Sequence, residues 1–327
     1  MKDYFIIAPM IALALFPPAF LRVPMVESAL WVWLVLIFGF LGLWSFTMRL
    51  NIFIKLFLVY AFISCFFSSG LYLSFTRYIP LVLCIYYYIL CQKIENWRIV
   101  YKALAVVMAV HILLFIMQLT GNDTLCNFAL EKVTCSGAVG NWMQMKTLMI
   151  LILAFFISAI TSKNRKVLYC LIALILIGMV VYALSGKNIY RFPHRRLMSW
   201  KDTLRVASLR PVFGWGLGSF GPVFNALADD VFKKQGYWHS PHNTYLHVLF
   251  EFGNLGLWIF SGYLTSLGLR LLRHRLFYPL IGFILLLLVM SFHFPLHQTT
   301  TVLLVMCFLA YLEARTRSHY GIANRNS

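Results

Sequence analysis

Residues 243–268 read NTYLHVLFEFGNLGLWIFSGYLTSLG, and Glu251 is the only Asp, Glu, Lys or Arg among them. A helix needs about 20 predominantly apolar residues to cross a bilayer, so this run is long enough. Comparable runs lie at 4–21, 29–46, 51–69, 77–91, 103–119, 143–160, 167–184, 277–292 and 299–312. The composition agrees: of 327 residues 61% are hydrophobic and 12% charged, whereas soluble domains carry roughly 25% charged and 45–50% apolar residues. Disorder is excluded as well, because so apolar a chain buries itself. The fold expected is all-α, a polytopic integral membrane protein of about ten transmembrane helices forming one membrane domain over 1–327. The first run follows Lys2, and Pro17-Pro18 and Arg22 stand where a leader would be cleaved, so it reads as a retained helix.

There are 28 Lys and Arg against 10 Asp and Glu, a net charge of +18. In a membrane chain such an excess belongs first to cytoplasmic loops, which removes the need to invoke nucleic acid. With the N-terminus cytoplasmic, Lys2, Arg49, Lys55, Lys93, Arg98, Lys102, Lys163, Arg165, Lys166 and the basic residues at 270–275 and 315–325 all fall inside, with both termini cytoplasmic. One segment breaks the rule. The outer loop 185–241, before the eighth helix, carries Lys187, Arg191, Arg195, Arg196, Lys201, Arg205, Arg210, Lys233 and Lys234 against Asp202, Asp229 and Asp230. Long loops translocate despite their charge, so one reading is a tolerated basic surface. The other is a site for a polyanion such as a lipid-linked phosphate or pyrophosphate, held by Arg and Lys donors.

Within this loop Leu197, Trp200, Leu204 and Ala207 recur at helical spacing, with Lys201, Arg205 and Ser208 on another face. That is the pattern of a helix lying flat at the membrane surface, or of one packed on the bundle; either holds Arg196 and Arg205 near the headgroups. Gly216, Gly218 and Gly221 match a dinucleotide-binding spacing, but lack the strand and the distal acidic residue such a site needs. Together with Gly214 they suit close approach of backbone to a ligand or helix, or anion binding by exposed N–H groups.

Pro241 marks a helix entrance and puts His242 at the outer boundary, where a histidine is suited to proton transfer. The spacing of His239, His242 and His247 fits no standard metal motif, so neither metal nor cofactor is expected. Glu251, about 13 Å further along the helix, needs a partner at that depth; Arg77 and Lys146 open spans from the same side. His293 and His297 fall at the outer end of another pair of spans. Cys126 and Cys135 are the only cysteines of the outer loop 120–141; a disulfide there fits an oxidising compartment, and two free thiols are the alternative.

These residues resemble the O-antigen ligase and Wzy-type polymerase superfamily, integral membrane glycosyltransferases that use polyprenyl-pyrophosphate-linked sugars. His242-Asn243, nine residues, then Gly253-x-x-Gly256 is similar to that family's signature at the start of a span. Arg196-x-x-x-Trp200, ten residues, then Pro211-x-x-Gly214-x-Gly216-x-Gly218-x-Phe220 is similar to the run before it, and Gly137-Ala-Val-Gly140-Asn141 is a weaker match. The chain departs from the family at Leu184-Ser185-Gly186-Lys187, where members commonly carry Ser-Arg, and it is shorter than usual. Lys187 keeps the charge but loses the bidentate geometry of arginine.

The resemblance implies transfer of a glycan from a polyprenyl-pyrophosphate donor to an acceptor hydroxyl of a glycan, lipid A core or protein, at the periplasmic face of a bacterial inner membrane. His242 and Arg196 would be catalytic; Arg210, Arg191, Lys187 and Arg205 would hold pyrophosphate; Asn243, Glu251, Gly214, Gly216, Gly218 and Trp200 would support the site. The reaction would be inverting and metal-independent. Ligase, polymerase and protein oligosaccharyltransferase share these residues. A transporter of lipid-linked sugar is a further reading, although the chain lacks the repeated halves such proteins frequently show.

Overall fold

The computed structural model describes residues 2–15, 50–119, 142–160, 191–229, 238–297 and 299–323. The runs at 29–46 and 167–184, Lys187, and the Cys126 and Cys135 pair lie outside them. Among the described residues the only regular structure is helical: α1 (Lys2–Leu15), α2 (Ile52–Cys65), α3 (Leu71–Cys91), α4 (Trp97–Leu119), α5 (Trp142–Ala159), α6 (Arg191–Ala207), α7 (Phe220–Leu227), α8 (Thr244–Arg273), α9 (Phe277–Phe292) and α10 (Thr299–Ala323), with a single 3-10 turn at Pro295–His297. Two of these, α3 and α8, are long and apolar enough to cross a membrane; α2, α9 and most of α5 are shorter apolar helices.

Helix α9 packs on α5, α10 on α3 and α5, and α8 on α2 and α9, while α1 lies against α4 and α10. The centre is aromatic: Phe155 meets Phe308 and Tyr311, and Tyr101 meets Phe155 and Tyr311 edge-on. Around it the outer faces carry exposed Phe5, Leu56, Val59, Trp258, Leu269, Ile284 and Leu288, an apolar perimeter far larger than a water-facing surface tolerates.

Polar contacts gather at the two ends. At one, the Asn96 amide donates to Asp3 Oδ2 at 2.9 Å, Tyr263 bonds Tyr88 through their hydroxyls, and Glu313 pairs with Arg270 and Arg317. Because α8 carries Arg270 near its C-terminus and His242 just before its N-terminus, the histidine stands at the opposite end. There α6, α7 and the first part of α8 enclose a second small core of Val206, Ala207, Phe220, Phe224 and Phe250.

Helix α8 is broken at Gly253, whose φ of 64° and ψ of −168° suit glycine alone. Residues 254–273 after the break span about 30 Å, the thickness of a bilayer's hydrocarbon. The nine before it belong to the cap.

Candidate active site

A helix broken next to hydrocarbon exposes backbone groups that must find partners. The glycine-rich run supplies them. The amides of Trp215 and Gly216 donate to the carbonyls of Phe250 and Glu251 at 3.0 and 2.8 Å, and those of Asn254 and Leu255 donate to Pro211 and Val212 at 2.7 and 3.2 Å. Tyr60 Oη adds a bond to the Phe252 carbonyl at 2.9 Å. Space is the reason for glycine: a Cβ on Gly214 would meet the Gly253 nitrogen at 2.5 Å, and Gly214, Gly216 and Gly218 all have positive φ. The close-approach reading of this run therefore holds, and the amides of Trp215 and Gly216 are engaged by the helix.

Above the break, Glu251 Oε1 accepts from the Phe220 amide at 3.3 Å and lies 3.3 Å from His247 Nε2. The imidazole of His247 stacks on that of His297 at 3.9 Å. Glu251 thus finds a histidine and an amide, where the sequence pointed to Arg77 or Lys146.

His242 precedes α8 in a left-handed conformation, φ 54°, which costs a non-glycine residue about 1–3 kcal/mol and is held by its surroundings. Four contacts hold it. Asn243 caps α8 by accepting from the Leu246 amide at 3.1 Å. Asn225 brackets the Trp238 backbone with bonds of 2.8 and 2.9 Å. The Ser240 hydroxyl accepts from the His242 amide at 3.4 Å, and Trp200 Nε1 donates to the Pro241 carbonyl at 2.8 Å.

One turn before Trp200 on α6, Arg196 Nη1 donates to the Phe292 carbonyl at 2.9 Å. Spacing of i and i+4 places the two on one face. The Arg-x-x-x-Trp pair thus grips the chain beside His242 with one residue and beside His293 with the other. The two imidazole rings are 6.0 Å apart, and Thr244 Oγ1 donates to the His293 carbonyl at 3.0 Å.

Burial, and then the nearby Arg196 charge, push His242 down to about 4. Burial with the charges of His242 and Arg196 takes His293 to about 3. Both are neutral at neutral pH, and a neutral imidazole presents one nitrogen as proton acceptor. Arg196 is lowered from the ordinary arginine range by its burial and remains a cation.

The remaining basic residues divide. Arg205 lies about 13 Å along α6 from Arg196, and its guanidinium binds Asp202, Asp229 and the Leu227 carbonyl. Arg210 lies over the Trp215 ring, 4.4 Å from its centroid, on the open surface. Arg191 opens α6. On α6, Ser199, Asp202, Thr203, Val206 and Ala207 are buried, while Leu197 and Leu204 face outward. Asp202 belongs inside because its carboxylate accepts from the Asp229 amide at 3.0 Å.

His242 and His293, beside the carbonyl that Arg196 binds, lie among the rings of Trp238 and Phe294 at one end of an apolar helical bundle. Residues 133–261 match the family model described as O-Antigen ligase, so the resemblance read from the two motif runs stands over that stretch. No curated protein matches the chain. The match contains Arg196, Trp200, the glycine run, His242 and Glu251; His293 and His297 lie beyond it.

Proposed function

We propose that this protein is a membrane glycosyltransferase of the O-antigen ligase type, moving a glycan from a polyprenyl-pyrophosphate donor to an acceptor hydroxyl at the periplasmic face of a bacterial inner membrane. The observation that carries the reading is the way Arg196 and Trp200, one turn apart on α6, bind the Phe292 and Pro241 carbonyls and so bring His242 to the entrance of α8 beside an arginine. His242 takes the proton of the acceptor hydroxyl as that oxygen attacks the anomeric carbon. The bond from this carbon to the pyrophosphate oxygen breaks, and lipid pyrophosphate leaves with its charge offset by Arg196 and the open Arg210. A single displacement inverts the anomeric centre and uses neither nucleotide nor metal. Arg191 and Lys187 are kept as phosphate candidates by the resemblance alone, whereas Arg205, tied to two aspartates, serves the cap first. About ten spans with both termini cytoplasmic would put this end outside.

Among the activities that share the residues, transfer to lipid A core is the reading favoured, with polymerisation of lipid-linked repeats and transfer to a protein Ser or Thr behind it. Enzyme and transporter are separated by purified protein in vesicles without any gradient, supplied with a synthetic polyprenyl-pyrophosphate oligosaccharide. Covalent transfer with release of polyprenyl pyrophosphate is expected; movement of the intact lipid alone would make the protein a transporter.

The depressed His242 sets the pH profile. A base acts when unprotonated, so the rate is expected to stay level as pH falls from 8 to about 5 and to drop only on approach to about 4, where an ordinary histidine would lose activity near 6.5. A midpoint near 6.5 in the acid limb of the transfer rate would contradict this. Arg196→Lys keeps a charge but cannot both bond the Phe292 carbonyl and face the donor through a planar fork. We expect a fall in transfer of about tenfold or more, since a hydrogen bond from a charged group is worth about 1.5–3 kcal/mol. Initial rates at saturating and limiting donor would check it.

A further inference from the structure

Arg77 lies outside every motif and outside the matched stretch, and Glu251 takes a histidine and an amide in its place. It stands six residues after Leu71, the start of α3, and so about 9 Å along that helix. The start of α3 belongs to the His242 end of the bundle, since Ser74 Oγ bonds the Leu217 carbonyl there at 2.6 Å. Long helical side chains lean toward the helix N-terminus. That of Arg77 runs beside Gly218, where a Cβ would come within 3.2 Å of its Cγ. The residue is exposed, and among the described residues no carboxylate pairs with it. Its charge reaches His297, which is exposed as well. A cation at the margin of hydrocarbon is costly to keep without an anionic partner.

Below this cation lies an apolar groove. Leu81, one turn further along α3 and on the same face as Arg77, lines its beginning, and Tyr88 lines it at the far end. Phe57 of α2, Phe260 of α8 and Met306 of α10 supply other walls, and Leu296, the chain neighbour of His297, joins them. Five of these six residues are only partly buried, so the groove is not sealed. Cation and groove are therefore linked twice, through Arg77 to Leu81 and through His297 to Leu296.

We propose that Arg77 and this groove bind an anionic glycerophospholipid, with its phosphate on the guanidinium and one acyl chain in the groove. Width decides against a helix of a partner protein. About 650 Å³ of space along at least about 10 Å of α3 gives a cross-section of about 65 Å², less than the roughly 80–110 Å² of a helix 10–12 Å across. Charge decides between lipids. One guanidinium matches the single negative charge of a phosphodiester and suits its oxygens as a fork, whereas a sugar-bearing pyrophosphate brings two charges. The second acyl chain stays in the surrounding bilayer, which the exposed Ile79 and Val82 of α3 face. A lipid held this way touches α2, α3, α8 and α10 at once, so it stabilises the packing between them by binding the folded state.

Lipid binding tests this without any transfer reaction, so the outcome does not depend on His242 as the base. Purified protein in a neutral detergent is titrated with phosphatidylglycerol, phosphatidylcholine, inorganic phosphate and polyprenyl phosphate. Native mass spectrometry counts bound lipid, and the unfolding temperature is measured alongside. Phosphatidylglycerol is expected to bind saturably at one per chain and to raise the unfolding temperature as its concentration rises. It should bind several-fold tighter than phosphatidylcholine, whose choline cation offsets its phosphate. Arg77→Gln should weaken phosphatidylglycerol tenfold or more and erase that difference, while unfolding at the wild-type temperature without lipid. Arg77→Lys should keep part of the affinity. Leu81→Trp narrows the groove and should weaken both phospholipids alike. Phosphatidylglycerol affinity unchanged in Arg77→Gln or in Leu81→Trp would overturn the site. So would an equal rise in unfolding temperature from inorganic phosphate, which would leave the groove without a role. Displacement of phosphatidylglycerol by polyprenyl phosphate at lower concentration would overturn the choice of lipid and give the groove to an isoprenoid chain.

Discussion

Replacing His242 by alanine is expected to lower transfer from the lipid-linked donor by at least about 100-fold, the usual worth of a positioned general base, while the protein still reaches the membrane. The loss should be chemical and not structural, because the contacts that shape this turn belong to its neighbours: Asn243 caps α8, Trp200 holds Pro241, and Asn225 holds Trp238. Glycine supplies the control. At φ 54° it relieves a strain that alanine retains, so His242→Gly should be at least as stable as wild type and equally inactive. Thermal unfolding in detergent beside transfer rates in vesicles distinguishes the two effects. Rates within threefold of wild type in either variant would remove His242 from the mechanism.

Local rules made much of this end of the molecule legible. Pro241 with Asn243 announces a helix start, and Arg196 and Trp200 at i and i+4 announce a shared face. What the two do there was hidden, since the carbonyls they grip belong to residues 292 and 241, the first of them almost 100 residues away. His293 was visible only as a histidine near a span end; its approach to His242 depends on α9 packing against α8. The α6 pattern left open whether Leu197 and Leu204 face the membrane or the bundle. Asp202 and Thr203 take the inner side because their side chains find partners in Asp229 and Ser199. Leucines are free to face outward where the surroundings are themselves apolar. The phosphate candidates rested on charge and on the resemblance, and neither reveals that Arg205 already carries two aspartates.

The second large effect concerns the fold that carries the site. Gly253→Ala is expected to destabilise the protein by about 3 kcal/mol or more, enough to deplete folded material. Two costs combine: a backbone conformation reserved for glycine, about 1–3 kcal/mol, and a Cβ driven into the Val212 carbonyl and the Gly214 nitrogen, where overpacking adds a similar amount. Relief by separating loop from helix would sacrifice the bonds that satisfy Phe250, Glu251, Asn254 and Leu255, in surroundings where water does not replace them. Gly268→Ala tests whether the effect belongs to the break or to glycines of α8 in general. Its Cβ meets only the edge of the Phe283 ring at 3.1 Å, and alanine gains about 1 kcal/mol of helix propensity, so a change within about 1 kcal/mol is expected. Gly214→Ala should resemble Gly253→Ala, because it enters the same contact from the other side. If the glycine run and the helix break form one latch, the double variant loses that latch only once, and its unfolding temperature should lie close to that of the weaker single variant. Two full, additive decrements would mean that Gly214 and Gly253 act through separate contacts, and that the two motifs are neighbours in space without being parts of one device.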